Sequence, residues 1–81
     1  MTRFRVLLFA RYAELFGAPD VAITLADGAT VADLITALRD IPGGESLPVA
    51  PFVAVNFEQS GVTRRLMPGD ELALLPPLAG G

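Results

Sequence analysis

The chain has 81 residues, enough for one small domain and too few for two that fold unaided. It contains no Cys, His or Lys, which excludes disulfides, Cys/His zinc sites, thiol or imidazole chemistry and Schiff bases, and so argues against a self-sufficient enzyme. Six arginines face nine carboxylates for a formal charge of −3, so a nucleic acid is not an expected partner.

Arg3–Ala10 reads as the first strand, with Phe4, Val6 and Leu8 on one face and Leu7 and Phe9 on the other. Arg11–Phe16 reads as a short helix stopped by Gly17. Val21–Leu25 is a second strand, expected antiparallel to the first. Ala26–Ala29 is turn chemistry. Thr30 then has the character of an N-cap, with Asp33 in the reciprocal position of a capping box. Val31, Leu34, Ile35 and Leu38 recur at helical spacing and form one apolar stripe. The helix should end near Arg39 or Asp40, ahead of Ile41-Pro42-Gly43-Gly44. Glu45–Pro51 reads as a loop and Phe52–Asn56 as a third strand. Gln59-Ser60-Gly61 is read as a turn and Val62–Arg65 as a short edge strand guarded by its arginines. Met67–Asp70 is a tight turn, and Glu71–Leu75 is the last strand.

The predicted class is α+β, a mixed sheet of about five strands with one main helix. One helix covers one face of such a sheet and leaves the other without cover from its own chain. The hydrophobic content of 52% and mean hydropathy of +0.51 fit a domain that reserves apolar surface for a partner. No stretch approaches the ~20 apolar residues that span a bilayer. Val6–Ala10 is too short for a signal-peptide core, and Arg11 and Glu14 follow at once. The expectation is a soluble, cytoplasmic protein without a membrane partner.

Residues 1–75 form the predicted domain and 76–81 an extended tail. Pro76 and Pro77 stop the last strand and stiffen the exit. Leu78 offers an apolar anchor, and Ala79, Gly80 and Gly81 have almost no side-chain bulk. Such a terminus suits a narrow channel, with its carboxylate presented to another protein's active site. By itself, Gly-Gly at a C-terminus is a weak signal, and a frayed tail is the stronger reading of it. Because the domain lacks catalytic side chains, the terminal carboxylate is its best remaining chemical handle.

Three segments resemble one family: Arg5–Gly17 (RVLLFARYAELFG), Ala54-Val55-Asn56, and Pro68–Gly81 (PGDELALLPPLAGG). Together they are similar to the MoaD/ThiS sulfur carriers, and the Pro-Pro-x-x-Gly-Gly ending favours the branch of molybdopterin synthase small subunits. The resemblance implies a ubiquitin-like β-grasp fold. It also implies that Gly81 is adenylated by an ATP-dependent, MoeB-like enzyme, thiocarboxylated from a sulfur donor, and gives its sulfur to the cyclic pyranopterin monophosphate precursor of molybdopterin. Pro76, Pro77, Leu78, Ala79 and Gly80 would then thread the active site of a MoaE-like large subunit, in a heterotetramer whose acid–base groups belong to that subunit. The chain itself would bind no cofactor or metal. The same terminal chemistry fits carriers for thiazole, cysteine or tRNA thiolation. A ubiquitin-like modifier or adaptor is the alternative of another class.

Leu7, Phe9 and Leu75 have the parity of the open sheet face, and Phe57 follows the third strand. They are the candidate partner interface. For Phe9 and Leu75 the resemblance favours that role, although Leu75 stands where the family often has Phe. For Leu7 and Phe57, packing under the loop Ile41–Pro51 is an equal reading. Arg11, Arg64 and Arg65 fit acidic partner surfaces or plain solvated edges. Gly43-Gly44 lacks the Lys and Ser/Thr of a phosphate loop and is read as a helix terminator.

Overall fold

Strand β1 (Thr2–Leu8) buries Phe4, Val6 and Leu8 and turns Arg3, Arg5 and Leu7 to the other face. The computed structural model describes residues 1–48 and 51–76; expectations placed on Pro77, Leu78, Ala79, Gly80 and Gly81 lie outside them. β1 ends two residues before Ala10, where the sequence had placed its end. Ala10 takes a positive φ of 51°, turning the chain into helix α1 (Arg11–Phe16), and the Tyr12 and Ala13 amides donate to the carbonyls of Phe9 and Ala10. Gly17, left-handed at φ 71°, closes α1 as expected.

Strand β2 (Asp20–Leu25) pairs antiparallel with β1, Phe4 lying opposite Ile23. Helix α2 (Val31–Arg39) begins with the capping box in full: the Thr30 hydroxyl accepts from the Asp33 amide, and the Asp33 carboxylate accepts from the Thr30 amide. Val31, Leu34, Ile35 and Leu38 are all buried, each burial contributing about 1.5–3 kcal/mol. A 3-10 turn at Gly44–Ser46 follows. Arg39 donates to the carbonyls of Leu47 and Pro48 and so holds the following loop against the end of α2.

Strands β3 (Phe52–Val55), β4 (Glu58–Ser60) and β5 (Leu72–Leu75) complete one sheet of order β2-β1-β5-β3-β4. The central β1–β5 pair is parallel, and every other pair is antiparallel. Leu72 and Leu74 point with Val6 and Leu8 into the core that takes in α2, Tyr12, Leu47 and Leu66. This is the β-grasp arrangement.

The β3–β4 hairpin differs from its sequence reading. Its turn is Asn56-Phe57, not Gln59-Ser60-Gly61, because Val55 pairs with Glu58 and both intervening residues have positive φ, 53° and 71°. That is the primed geometry which matches strand twist. Asn adopts it readily, whereas a bulky L-residue loses about 1–2 kcal/mol there. Gln59 and Ser60 therefore belong to β4.

Val62–Arg65 is not an edge strand. Its carbonyls serve the start of α2: the Val31 amide donates to Arg64 at 2.9 Å and the Ala32 amide to Val62 at 3.0 Å, while Thr30 pairs with Arg65 in a single bridge. The first amides of a helix have no partner within it, and this strap supplies one. Gly43 and Gly44 do more than end α2. A Cβ on Gly44 would sit 1.7 Å from the Leu38 carbonyl oxygen, and one on Gly43 would sit 2.4 Å from that of Leu15.

Candidate functional site: the open sheet face

Both helices pack on one side of the sheet, so the opposite side is built from side chains of the other parity. Register places Leu7 beside Ala73, Ala73 opposite Ala54, and Phe52 opposite Leu75. Just past β1, the Phe9 amide donates to the Leu74 carbonyl at 3.3 Å, which brings Phe9 alongside the end of β5.

The face has two halves. Over β2 and the first part of β1 it is polar, with Arg3 opposite Thr24 and Arg5 paired to Asp20 at 2.6 Å. Over β5 and β3 it is apolar. There Leu7, Phe9, Phe57 and Leu75 surround a cavity of ≈ 190 Å³ floored by Ala54 and Ala73. Phe9 is 46% exposed and Phe57 87%, while Leu7 and Leu75 are half-buried. The four candidate residues thus meet at one place. None of the described residues of the loop that offered to cover Leu7 and Phe57 lines the cavity, and its Leu47 packs into the core on the helix side.

At one end of the cavity a hydrogen-bonded clip joins the Asn56-Phe57 turn to the start of β5. The Asn56 side chain donates to Asp70 Oδ1 at 2.9 Å and accepts from the Glu71 amide at 2.9 Å, and the Asn56 amide donates to the Glu71 carbonyl at 2.8 Å. The second Asp70 oxygen accepts from the Met67 amide at 2.7 Å. Mainly through that backbone donor, and further through Asn56, the Asp70 carboxyl is held below its ordinary value of 3.8.

Sequence reading did not single out Phe52, Ala54, Ala73 or the Asn56–Asp70 pair. Alternation with Leu72 and Leu74 was the available signal for Ala73; the clip depends on a contact between distant turns and leaves no local trace. Of the tail residues, Pro76 is described and follows Leu75, so the chain leaves the sheet at the margin of the apolar half. Among the described residues no group of three acidic side chains is arranged to hold a metal, and no helix is long and apolar enough to cross a membrane.

Comparison with known proteins agrees with this architecture. The chain is 35% identical, over 78 residues, to the molybdopterin synthase sulfur carrier subunit of Arabidopsis thaliana, covering 95% of this chain and 81% of that protein. Its fold superposes with a TM-score of 0.83 on small archaeal modifier protein 1 of H. volcanii, at 29% identity, covering 96% of this chain and 100% of the other. A protein from Pyrococcus furiosus assigned as molybdopterin converting factor subunit 1 gives 0.86 at 26% identity, again covering 96% and 100%. Residues 6–81 match the model of the ThiS family. With nearly the whole chain matched and the β-grasp fold in place, this protein belongs to the ThiS family.

Proposed function

We propose that the chain is a sulfur carrier that serves as the small subunit of molybdopterin synthase, with Gly81 as the reacting residue. The observation that carries this reading is the 35% identity, over 95% of this chain, to a sulfur carrier subunit of that enzyme. The apolar half of the open face, at whose margin the tail departs, supports it. The partner on that face is the large, MoaE-like subunit, and the assembly is a heterotetramer in the cytoplasm.

The chemistry follows from the carboxylate. As it stands it is a poor electrophile, because its charge is delocalised and oxide is its only leaving group. An ATP-dependent, MoeB-like enzyme transfers AMP to a Gly81 carboxylate oxygen and releases pyrophosphate. Hydrosulfide attacks the carbonyl carbon, AMP departs with the C–O bonding pair, and a proton is released, leaving a thiocarboxylate. That anion is the nucleophile delivered to the precursor, and two successive carriers supply the two sulfurs of the dithiolene. The acid–base groups come from the large subunit.

The test is an intact-mass measurement after incubation with the cognate adenylating enzyme, ATP and sulfide. Exchange of one oxygen for sulfur at Gly81 is expected, and deletion of Gly81 should abolish both the exchange and molybdopterin formation while leaving the fold intact. Full sulfur transfer by the deleted chain would overturn the mechanism.

A second reading is favoured by the likeness to small archaeal modifier protein 1: Gly81 would form an isopeptide bond to lysines of target proteins. The chain has no Lys, so it would label others without forming lysine-linked chains on itself. Lysine-linked adducts in place of molybdopterin formation would select that reading.

A further inference from the structure

The turn residue Phe57 combines three properties that do not fit a residue serving its own fold. Its backbone lies at φ 71°, a region that bulky L-residues rarely enter. It occupies the second position of a primed turn, where Gly is strongly preferred after Asn. Its side chain is 87% exposed and takes no part in the core. A strained residue with no return from its own domain points to a use outside it.

The surroundings hold that residue in place. Both ends of the Asn56 carboxamide are engaged, by Asp70 and by the Glu71 amide, and Asp70 is itself fixed by the Met67 amide. The turn is therefore braced against the start of β5 and does not swing as a free hairpin tip. Bracing places Phe57 on the rim of the cavity it shares with Leu7, Phe9 and Leu75. Leu75 is followed by Pro76, where the tail departs. A protein that takes up the tail and lies on the apolar half of the sheet meets Phe57 at the far end of β5.

We propose that Phe57 is an anchor for the subunit that receives the tail, retained against the turn's own preference for Gly, and that Asn56, held by Asp70, is the positioning residue that aims it. The proposal rests on the synthase reading for the identity of that subunit. Phe57 and Leu75 grip the partner at the two ends of β5, so the anchor fixes the angle at which the tail enters as well as adding contact area.

The experiment uses the full chain and the purified large subunit of the same synthase. Thermal melts of the free chain are compared with affinities by calorimetry for wild type, Phe57→Gly, Asn56→Ala and the double variant. Phe57→Gly should raise Tm by a few degrees and weaken binding about thirtyfold. Asn56→Ala should weaken binding about fivefold when Phe57 is present and leave it unchanged when Gly is there. A purely structural role for Asn56 would give the same loss in both backgrounds and would overturn the positioning claim. Undiminished affinity of Phe57→Gly, or a fall in its Tm, would overturn the anchor. If sedimentation shows Phe57 holding two copies of this chain together, with no loss of large-subunit binding on its removal, the proposal also fails. Absence of any binding by wild type would instead refute the synthase reading, and the two failures are thereby told apart.

Discussion

Gly44 shows how much one missing methyl group decides. Its backbone lies so close to the last turn of α2 that a Cβ would overlap the Leu38 carbonyl, and the atoms it would meet are main chain, which cannot rotate away. Gly44→Ala should therefore destabilise the domain by about 2 kcal/mol or more, read as a lowered midpoint in urea. Gly61→Ala is the control: nothing lies within 4 Å of its added Cβ, and its φ is ordinary, so its midpoint should hardly move. Sequence alone offered the first of these glycines only as the end of a helix. Gly17 and the Thr30–Asp33 pair were legible because their chemistry is complete within a few neighbouring residues. Gly44 owes its identity to how closely the chain folds back on α2, and a one-dimensional reading gives no measure of that distance.

Elements depend on one another through their ends. The strap Val62–Arg65 closes the first turn of α2, and the Asn56–Asp70 clip joins the β3–β4 turn to β5. The clip should be acid-sensitive, and its sign is fixed by Asp70. A carboxyl whose value is lowered in the folded state contributes stability above its ordinary value of 3.8 and loses that contribution as pH falls through the lower, folded value. Wild type should therefore lose stability over Asp70→Asn as pH is taken from 5 to about 2, read as the difference between their melting temperatures across the series. A constant difference would show that Asp70 carries none of the acid response. These joints explain which elements escaped sequence reading. β4 was displaced because Phe stands where turn chemistry looks for Gly. Val62–Arg65 reads as a strand because its arginines resemble the guard of a sheet edge, whereas its carbonyls serve a helix end. The parity of Phe9 and Leu75 was legible because it needs only the period of a strand. Ala54 and Ala73 acquire their role as a floor only through register between strands distant in sequence.

At the scale of the whole molecule, the two sides of the sheet divide the work. One is closed by α1, α2 and the loops around Leu47 and Leu66; the other keeps an apolar half that the described residues do not cover. Because Phe9 is 46% exposed and absent from the core, Phe9→Arg should leave the melting temperature within about 2 °C of wild type. The same change should weaken large-subunit binding by at least about tenfold, since a guanidinium would be desolvated in the apolar half without a partner. Equal affinity would remove Phe9 from the interface. The position of β5 carries a further consequence. It lies between β1 and β3, so without it the sheet falls into two separate hairpins, β1–β2 and β3–β4. On the ribosome, β5 is the last of these strands to emerge, and the parallel pairing that joins the halves must wait for it. Assembly of the open face therefore waits for the last strand, and an unfinished or misfolded copy has no assembled face to offer a partner.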